Sequence, residues 1–418
     1  VRLANNMSAP EWVSRRRLVD HRARILWVVE AQAVQEEHGV MEENPLQKLN
    51  TFGQSLWLDL LSRRMLTSGG LRRLIEQDGV TGLTSNPAIF EKAFAESRDY
   101  RDAIRALVLA GKHAEEVYET LVVEDIQQAA DLLRLRYDQS RGADGYVSLE
   151  VSPHLARDTD GSLAEARWLW RQVNRPNLMI KVPGTAEGLP AIQQLLNEGI
   201  NVNITLLFGL PRYREVAQAY LEALESRVAR GESLRQTASV ASFFLSRIDT
   251  LVDSRLETII QEGGPRANLA QGLRGKAAVA SAKVAYEIFE SIFASRRFGR
   301  LADHGANRQR LLWASTGTKN PAYADTMYVE PLIGPETVTT LPLETLDAYR
   351  DHGHPAPRLK EGLAEAHQTL QQLAETGVNL DEVTRQLEEE GITKFVTPFD
   401  RLMETLRRQQ AAVLEATR

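Results

Sequence analysis

NLMIKVPGTAEG, Asn177–Gly188, is the stretch from which the rest of the chain can be read. Leu178, Met179, Ile180 and Val182 form an apolar strand of the kind buried in a parallel sheet. Lys181 interrupts it. Lysine is almost never fully buried unless it is paired, and burial disfavours the charged ammonium. An amine brought down from about 10.4 towards about 7–8 attacks carbonyl carbons and forms Schiff bases. The same fragment also fits a lysine at a strand end with its amine in water. The neighbouring runs decide between the two.

Seven further strand-like runs surround it: Ser55–Ser62, Gly79–Asn86, Tyr146–Pro153, Ile200–Phe208, Thr237–Leu245, Arg310–Gly317 and Thr337–Pro342. Most are rich in Val, Ile, Thr and Leu, and their polar residues come late. Helical patterns alternate with them at Leu66–Gln77, Tyr100–Ala110, Ala114–Leu135, Ser162–Val173, Leu189–Asn197, Arg212–Ala229, Ser246–Gln261 and Gly275–Phe293. This order predicts an α/β protein, a single closed (β/α)8 TIM barrel, with an open doubly wound sheet as the alternative. Three more helices, Pro357–Glu375, Leu380–Gly391 and Pro398–Ala416, are expected to pack outside it. Asn44–Gln54 reads as a short helix or loop leading in.

At 418 residues the chain is long enough for such a barrel. Its 43% hydrophobic and 25% charged residues are ordinary for a globular protein. A net charge of −6 argues against general binding to nucleic acid or anionic membranes. No apolar run approaches the roughly 18 residues of a membrane span. The absence of cysteine excludes disulfides and thiolate chemistry and is compatible with a cytoplasmic location. Only nine of the 50 cationic residues are lysines, so few side chains can do chemistry that needs an amine.

In a (β/α)8 barrel the chemistry sits at the C-terminal ends of the strands. The polar residues there are Asp59, Thr84, Asn86, Glu150, Lys181, Asn203, Thr205, Ser242 and Ser315. Each alone is as well read as a cap or a solvated edge. A lysine, two carboxylates, amides and hydroxyls converging on one rim make a stronger pattern, because a buried amine needs acids to move its protons and balance an imine charge.

These residues lie in LWLDLLS, GLTSNPAIF, VSLEVSP, LMIKVPGT, GINVNITLLF, ASFFLSRID, WASTGTKNP and KFVTPFD. With these motifs in this order, the chain resembles the transaldolases, class I Schiff-base aldol-transfer enzymes of the pentose phosphate pathway, from about Asn44 to Arg408. KVPGT and ASTGTKNP resemble the longer bacterial subgroup. The resemblance implies that Lys181 attacks the C2 ketone of a ketose phosphate and that Asp59 takes the C4 hydroxyl proton as C3–C4 breaks. Glu150 and Thr205 would hold the water that shuttles protons. Asn86, Asn203 and Ser242 would hold the dihydroxyacetone unit, and Arg247, Ser315 and Lys319 the phosphate. No metal or other cofactor is expected. Sugar phosphates are the expected partners, with neither nucleic acid nor membrane among them, and a homo-oligomer is left open. Relatives specialised for free aldol cleavage carry Gln and Tyr where this chain has Glu150 and Phe244, so transfer is expected. The alternative is a class I aldolase like fructose-6-phosphate aldolase.

Other features are set aside. Lys319 could rival Lys181 as nucleophile, but a loop lysine beyond Gly317 suits a phosphate or solvent better. His352 and His354 have metal-ligand spacing without an obvious third ligand. Gly275-Lys276 lacks the remaining residues of a phosphate loop and reads as a helix start.

Residues 1–40 are expected to be an N-terminal extension outside the barrel, or Met41 to be the natural start, with 41–418 forming the barrel and its C-terminal helices. The competing reading puts Ile25–Val29 on a helix covering the barrel or a partner. A chain beginning at Met41 should keep full activity and melting temperature if the extension is dispensable. A melting point lower by more than a few degrees would make the segment part of the fold.

Overall fold

The eight strands are β1 Gln54–Leu58, β2 Gly82–Thr84, β3 Val147–Glu150, β4 Leu178–Pro183, β5 Val202–Leu207, β6 Ser239–Phe244, β7 Arg310–Ala314 and β8 Thr337–Leu341. A computed structural model describes residues 44–96 and 98–417. The expectations for residues 1–40, Ile25–Val29 and Met41 lie outside the described residues. Neighbouring strands pair in parallel in sequence order, and β1 closes the barrel on β8 from Gln54↔Thr337 to Leu58↔Leu341. The closed (β/α)8 barrel holds, and the open sheet does not. Among the described residues, no helix is long and apolar enough to cross a membrane.

Because side chains alternate along a strand, residues two apart share a face. Ser55, Trp57 and Asp59 therefore rise through the interior in that order, as do Met179 and Lys181, Ser148 and Glu150, and Arg310, Leu312 and Ala314. The floor of the barrel is polar, and its charged groups are engaged with their neighbours. Asp144 accepts hydrogen bonds from Ser55 Oγ (2.5 Å) and Trp57 Nε1 (2.9 Å), and Arg310 donates to Ser55 (2.7 Å). The Trp57 indole lies directly under β2. A Cβ on Gly82 would come within 2.4 Å of its ring. Only glycine leaves room for it.

The C-terminal segment differs from the expectation. Leu380–Glu415 is one 36-residue helix, roughly 54 Å long at 1.5 Å per residue, with Pro398 inside it. An interior proline removes one helix hydrogen bond and costs about 3 kcal/mol in an isolated helix. Here a buried stripe, Leu387, Gly391, Phe395, Pro398, Leu402 and Leu406, runs unbroken through it, so packing outweighs the break. Ion pairs join the helix to elements that follow three different strands: Glu382 to Arg255 (3.9 Å), Glu388 to Arg212 (3.8 Å), Glu389 to Arg157 and Asp400 to His154 (2.7 Å). Its first part therefore crosses the C-terminal mouth of the barrel, while the part beyond Pro398 packs outside as expected, with Phe399 edge-on to Tyr118 and Arg407 paired with Glu115 (2.5 Å).

Other helices were missed or merged. Arg63–Thr67 and Gly70–Gln77 replace the single helix expected from Leu66. Pro87–Glu96, Pro265–Leu273, Arg296–Asp303 and Leu343–His352 were not foreseen. The first of these carried a legible start signal: Asn86 Oδ1 accepts from Ile89 N (3.1 Å) and proline follows it.

Gly82→Ala should destabilise the barrel by about 1–3 kcal/mol, the usual cost of overpacking. Urea unfolding would show it as a lower midpoint at unchanged slope. An unchanged midpoint would mean that the indole moves aside without cost.

Candidate active site

Lys181 lies at the fourth position of β4 and is 4% exposed. Its Nζ stands 3.0 Å from Glu150 Oε2, the partner that β3 places opposite it in register, and donates to Ser85 O (3.2 Å). Glu150 is 7% exposed, and neither of its oxygens accepts an aligned hydrogen bond. The pair is held by charge. Burial pushes the Glu150 carboxyl above its ordinary range, against the downward pull of Lys181.

In front of the lysine, a cavity of about 190 Å³ opens at the C-terminal end of the barrel. Asp59, Asn86, Lys181, Ser242, Arg247, Ser315 and Lys319 all line it. Seven of the ten expected site residues thus line one cavity, though they come from five segments spread over some 260 residues of chain. Asn203 stands behind its wall. It accepts from Ser242 Oγ (2.6 Å) and donates to Ser148 Oγ (3.0 Å), so Ser242 faces the cavity with only acceptor capacity left. Glu150 stands behind the lysine. Thr205 is fully buried on β5, opposite Pro183, and its hydroxyl has no partner. Directly after it β5 bulges, with Leu206 at φ 59°, a strained conformation of the kind that gathers at functional sites.

Asp59 stands just beyond β1 and accepts from Thr84 Oγ1 (2.7 Å), which also contacts Thr340 Oγ1 (2.8 Å). Arg247, in the first turn of the helix Ser246–Glu262, lies between two aromatic rings, 5.4 Å from the centroid of Phe244 and 5.6 Å from that of Phe395. Burial lowers the pKa of its guanidinium, opposed by Glu150 and Asp59, and its Nη1 is buried without a partner. Ser315, at φ 55°, contacts Ser246 Oγ (2.8 Å). Lys319 is exposed at the rim. A guanidinium, two hydroxyls and a rim ammonium make a set suited to an anion.

Thr340 and Phe395 line the cavity and were not foreseen. The two-residue period of β8 pointed to Thr340. Phe395 lies in KFVTPFD, but nothing in a helical pattern beyond the eighth strand says that the helix folds back over the mouth. The best sign was Gly391, a glycine inside a helix. It lets the backbone approach Leu206, whose Cδ2 lies 3.0 Å from where a Cβ would stand. His352 pairs with Asp325 and Asp351, and among the described residues no group of three His, Asp or Glu side chains could hold a metal ion.

The family model described as transaldolase/fructose-6-phosphate aldolase matches residues 56–406. A protein named Transaldolase from Thiobacillus denitrificans is 49% identical over 360 residues, covering 86% of this chain and 99% of the relative. Transaldolase 2 from Nostoc sp. is 47% identical over 371 residues, covering 88% and 97%. A Transaldolase from Thermobifida fusca is 48% identical over 372 residues, covering 88% and 99%.

A second, smaller cavity of about 20 Å³ touches Glu150 from the far side and is lined by Tyr118, Glu119 and Glu165. Burial pushes the Glu165 carboxyl up to about 7, against the Ser152 N–H that donates to it (3.1 Å). The folded chain therefore holds a proton that the unfolded chain releases near pH 4.5. This contribution to stability is full below pH 4.5 and is lost as pH rises through about 7. Glu165→Gln should remove it. The melting-temperature difference, variant minus wild type, should grow between pH 4.5 and 7.5, and a flat difference would contradict the assignment.

Proposed function

The chain belongs to the transaldolase/fructose-6-phosphate aldolase family, and from that premise we propose that it is a transferase working through an imine on Lys181. It moves a dihydroxyacetone unit from a ketose phosphate, sedoheptulose 7-phosphate or fructose 6-phosphate, to an aldose phosphate, glyceraldehyde 3-phosphate or erythrose 4-phosphate, in the non-oxidative pentose phosphate pathway. One observation carries this reading: a buried lysine 3.0 Å from a buried carboxylate whose proton affinity is raised.

Glu150 takes a proton from Lys181, and the free amine adds to the C2 carbonyl carbon. Glu150 and the unpartnered hydroxyl of Thr205 move protons through water as the carbinolamine loses its oxygen. Asp59 then removes the C4 hydroxyl proton. As C3–C4 breaks, its electron pair flows into the protonated imine, leaving an enamine on Lys181 and releasing the aldose phosphate. A second aldehyde is attacked by C3 in the reverse sense. Ser242 accepts a hydrogen bond from the dihydroxyacetone unit. Asn86 has its Oδ1 engaged with Ile89 N and can donate from its NH2. Arg247 offers its guanidinium to phosphate, with Ser315 and Lys319 beside it.

Lys181→Ala and Lys181→Arg should leave the fold intact and less than about one per cent of turnover, since arginine stays protonated and forms no imine. Activity well above that level would remove Lys181 from the mechanism. Asp59→Ala should separate the steps: imine forms with fructose 6-phosphate and intact sugar stays bound, while cleavage fails. Loss of imine formation along with cleavage in a folded variant would contradict the division of labour.

A further inference from the structure

The ring of Phe395 is held over both ends of the site by a helix that spans the barrel mouth. Lys181 Nζ lies 5.4 Å from the ring centroid and Arg247 Cζ 5.6 Å. The ring is 4% exposed and forms part of the wall of the catalytic cavity. One turn earlier, Gly391 brings the helix backbone against Leu206, just after the bulge of β5. The helix therefore cannot rise from the mouth without parting these contacts. The phenyl group brings neither a hydrogen-bond donor nor an acceptor to the side of the cavity nearest the lysine, and it adds to the apolar part of a lining that also holds Phe244, Leu312, Ala314 and Pro342.

We propose that Phe395 determines the fate of the enamine: it keeps solvent from C3 until an acceptor aldehyde arrives, and so sets the ratio of transfer to free release. This rests on the Schiff-base reading above. Release begins when a proton reaches C3. The C2=C3 electron pair becomes the new C3–H bond, and C2 is left doubly bonded to the lysine nitrogen as an iminium. One water then adds its oxygen to C2 and passes a proton to Glu150. The nitrogen takes that proton; the new C2 hydroxyl then gives its own proton to Glu150 as its O–H electron pair forms C2=O and the C2–N pair returns to nitrogen, so dihydroxyacetone leaves with Lys181 restored. Transfer uses the same electron pair to bond C3 to the aldehyde carbon, whose oxygen takes its proton from Asp59. The two routes compete for C3, and the apolar ring disfavours the one that needs solvent there. Its face also stabilises the guanidinium of Arg247, which steadies the phosphate end.

The test is a size series, Phe395→Leu, Phe395→Val and Phe395→Ala, with fructose 6-phosphate and erythrose 4-phosphate. Free dihydroxyacetone is measured per transfer product. In D2O without acceptor, deuterium gained at C3 is measured as well. Leucine, still covering the site, should stay near the wild-type ratio. Valine should exceed it, and alanine should raise release and deuterium uptake roughly tenfold or more, since an opened site admits the side reactions that closure prevents. An unchanged ratio and unchanged deuterium uptake from leucine to valine and alanine, with the lysine adduct still trapped by borohydride, would overturn the proposal. If alanine does not fold, the comparison of leucine with valine decides. If wild-type protein traps no adduct, the Schiff-base reading itself fails, and that outcome is distinguishable from failure at Phe395.

Discussion

The ion pair between Lys181 and Glu150 constrains everything around it. Two charges withdrawn from water cost several kcal/mol each, and their attraction offsets that only with good geometry and satisfied surroundings. Here the surroundings leave polar groups without partners from the chain. Glu150 accepts no aligned hydrogen bond, Thr205 has no partner, and one Arg247 N–H is buried alone. Buried polar groups are usually satisfied within the chain. Glu150, Thr205 and Arg247 thus keep hydrogen-bonding capacity around the lysine that substrate and water can take up.

The rest of the interior contains that cost. The barrel floor is closed by Asp144, Ser55, Trp57 and Arg310, each engaged with another. Above it, Ser148, Asn203 and Ser242 form a chain of hydrogen bonds that fixes the orientation of the side chains facing the cavity. At the mouth three cations, Lys181, Arg247 and Lys319, stand against two acids, Glu150 and Asp59. Substrate phosphate would meet that excess at the guanidinium, which packs against two rings rather than a carboxylate. An arginine already paired to an acid would have to give up that partner to bind.

The barrel and most of its site were legible from sequence because strand-end polarity is a local signal. Lys181, Asp59, Asn86 and Ser242 follow from alternation along short strands, and all eight strands stand where the pattern put them, with ends shifted by a few residues. The shape of the mouth was not legible. Pro398 reads as a helix end, and only the tertiary stripe from Leu387 to Leu406 shows that the helix continues through it. Phe395 then reaches Lys181 across more than 200 residues of sequence, a contact that no local pattern encodes. The helix Pro87–Glu96 was hidden for a different reason: the strand reading of GLTSN absorbed the asparagine that caps it.

Imine formation at Lys181, under the control of Glu150, is the claim on which the account rests. Borohydride reduction in the presence of fructose 6-phosphate, followed by peptide mapping of the labelled chain, tests it most directly. The account predicts one sugar adduct, on the peptide that carries Lys181. An adduct on Lys319 instead, or none on any lysine of an active preparation, would contradict it.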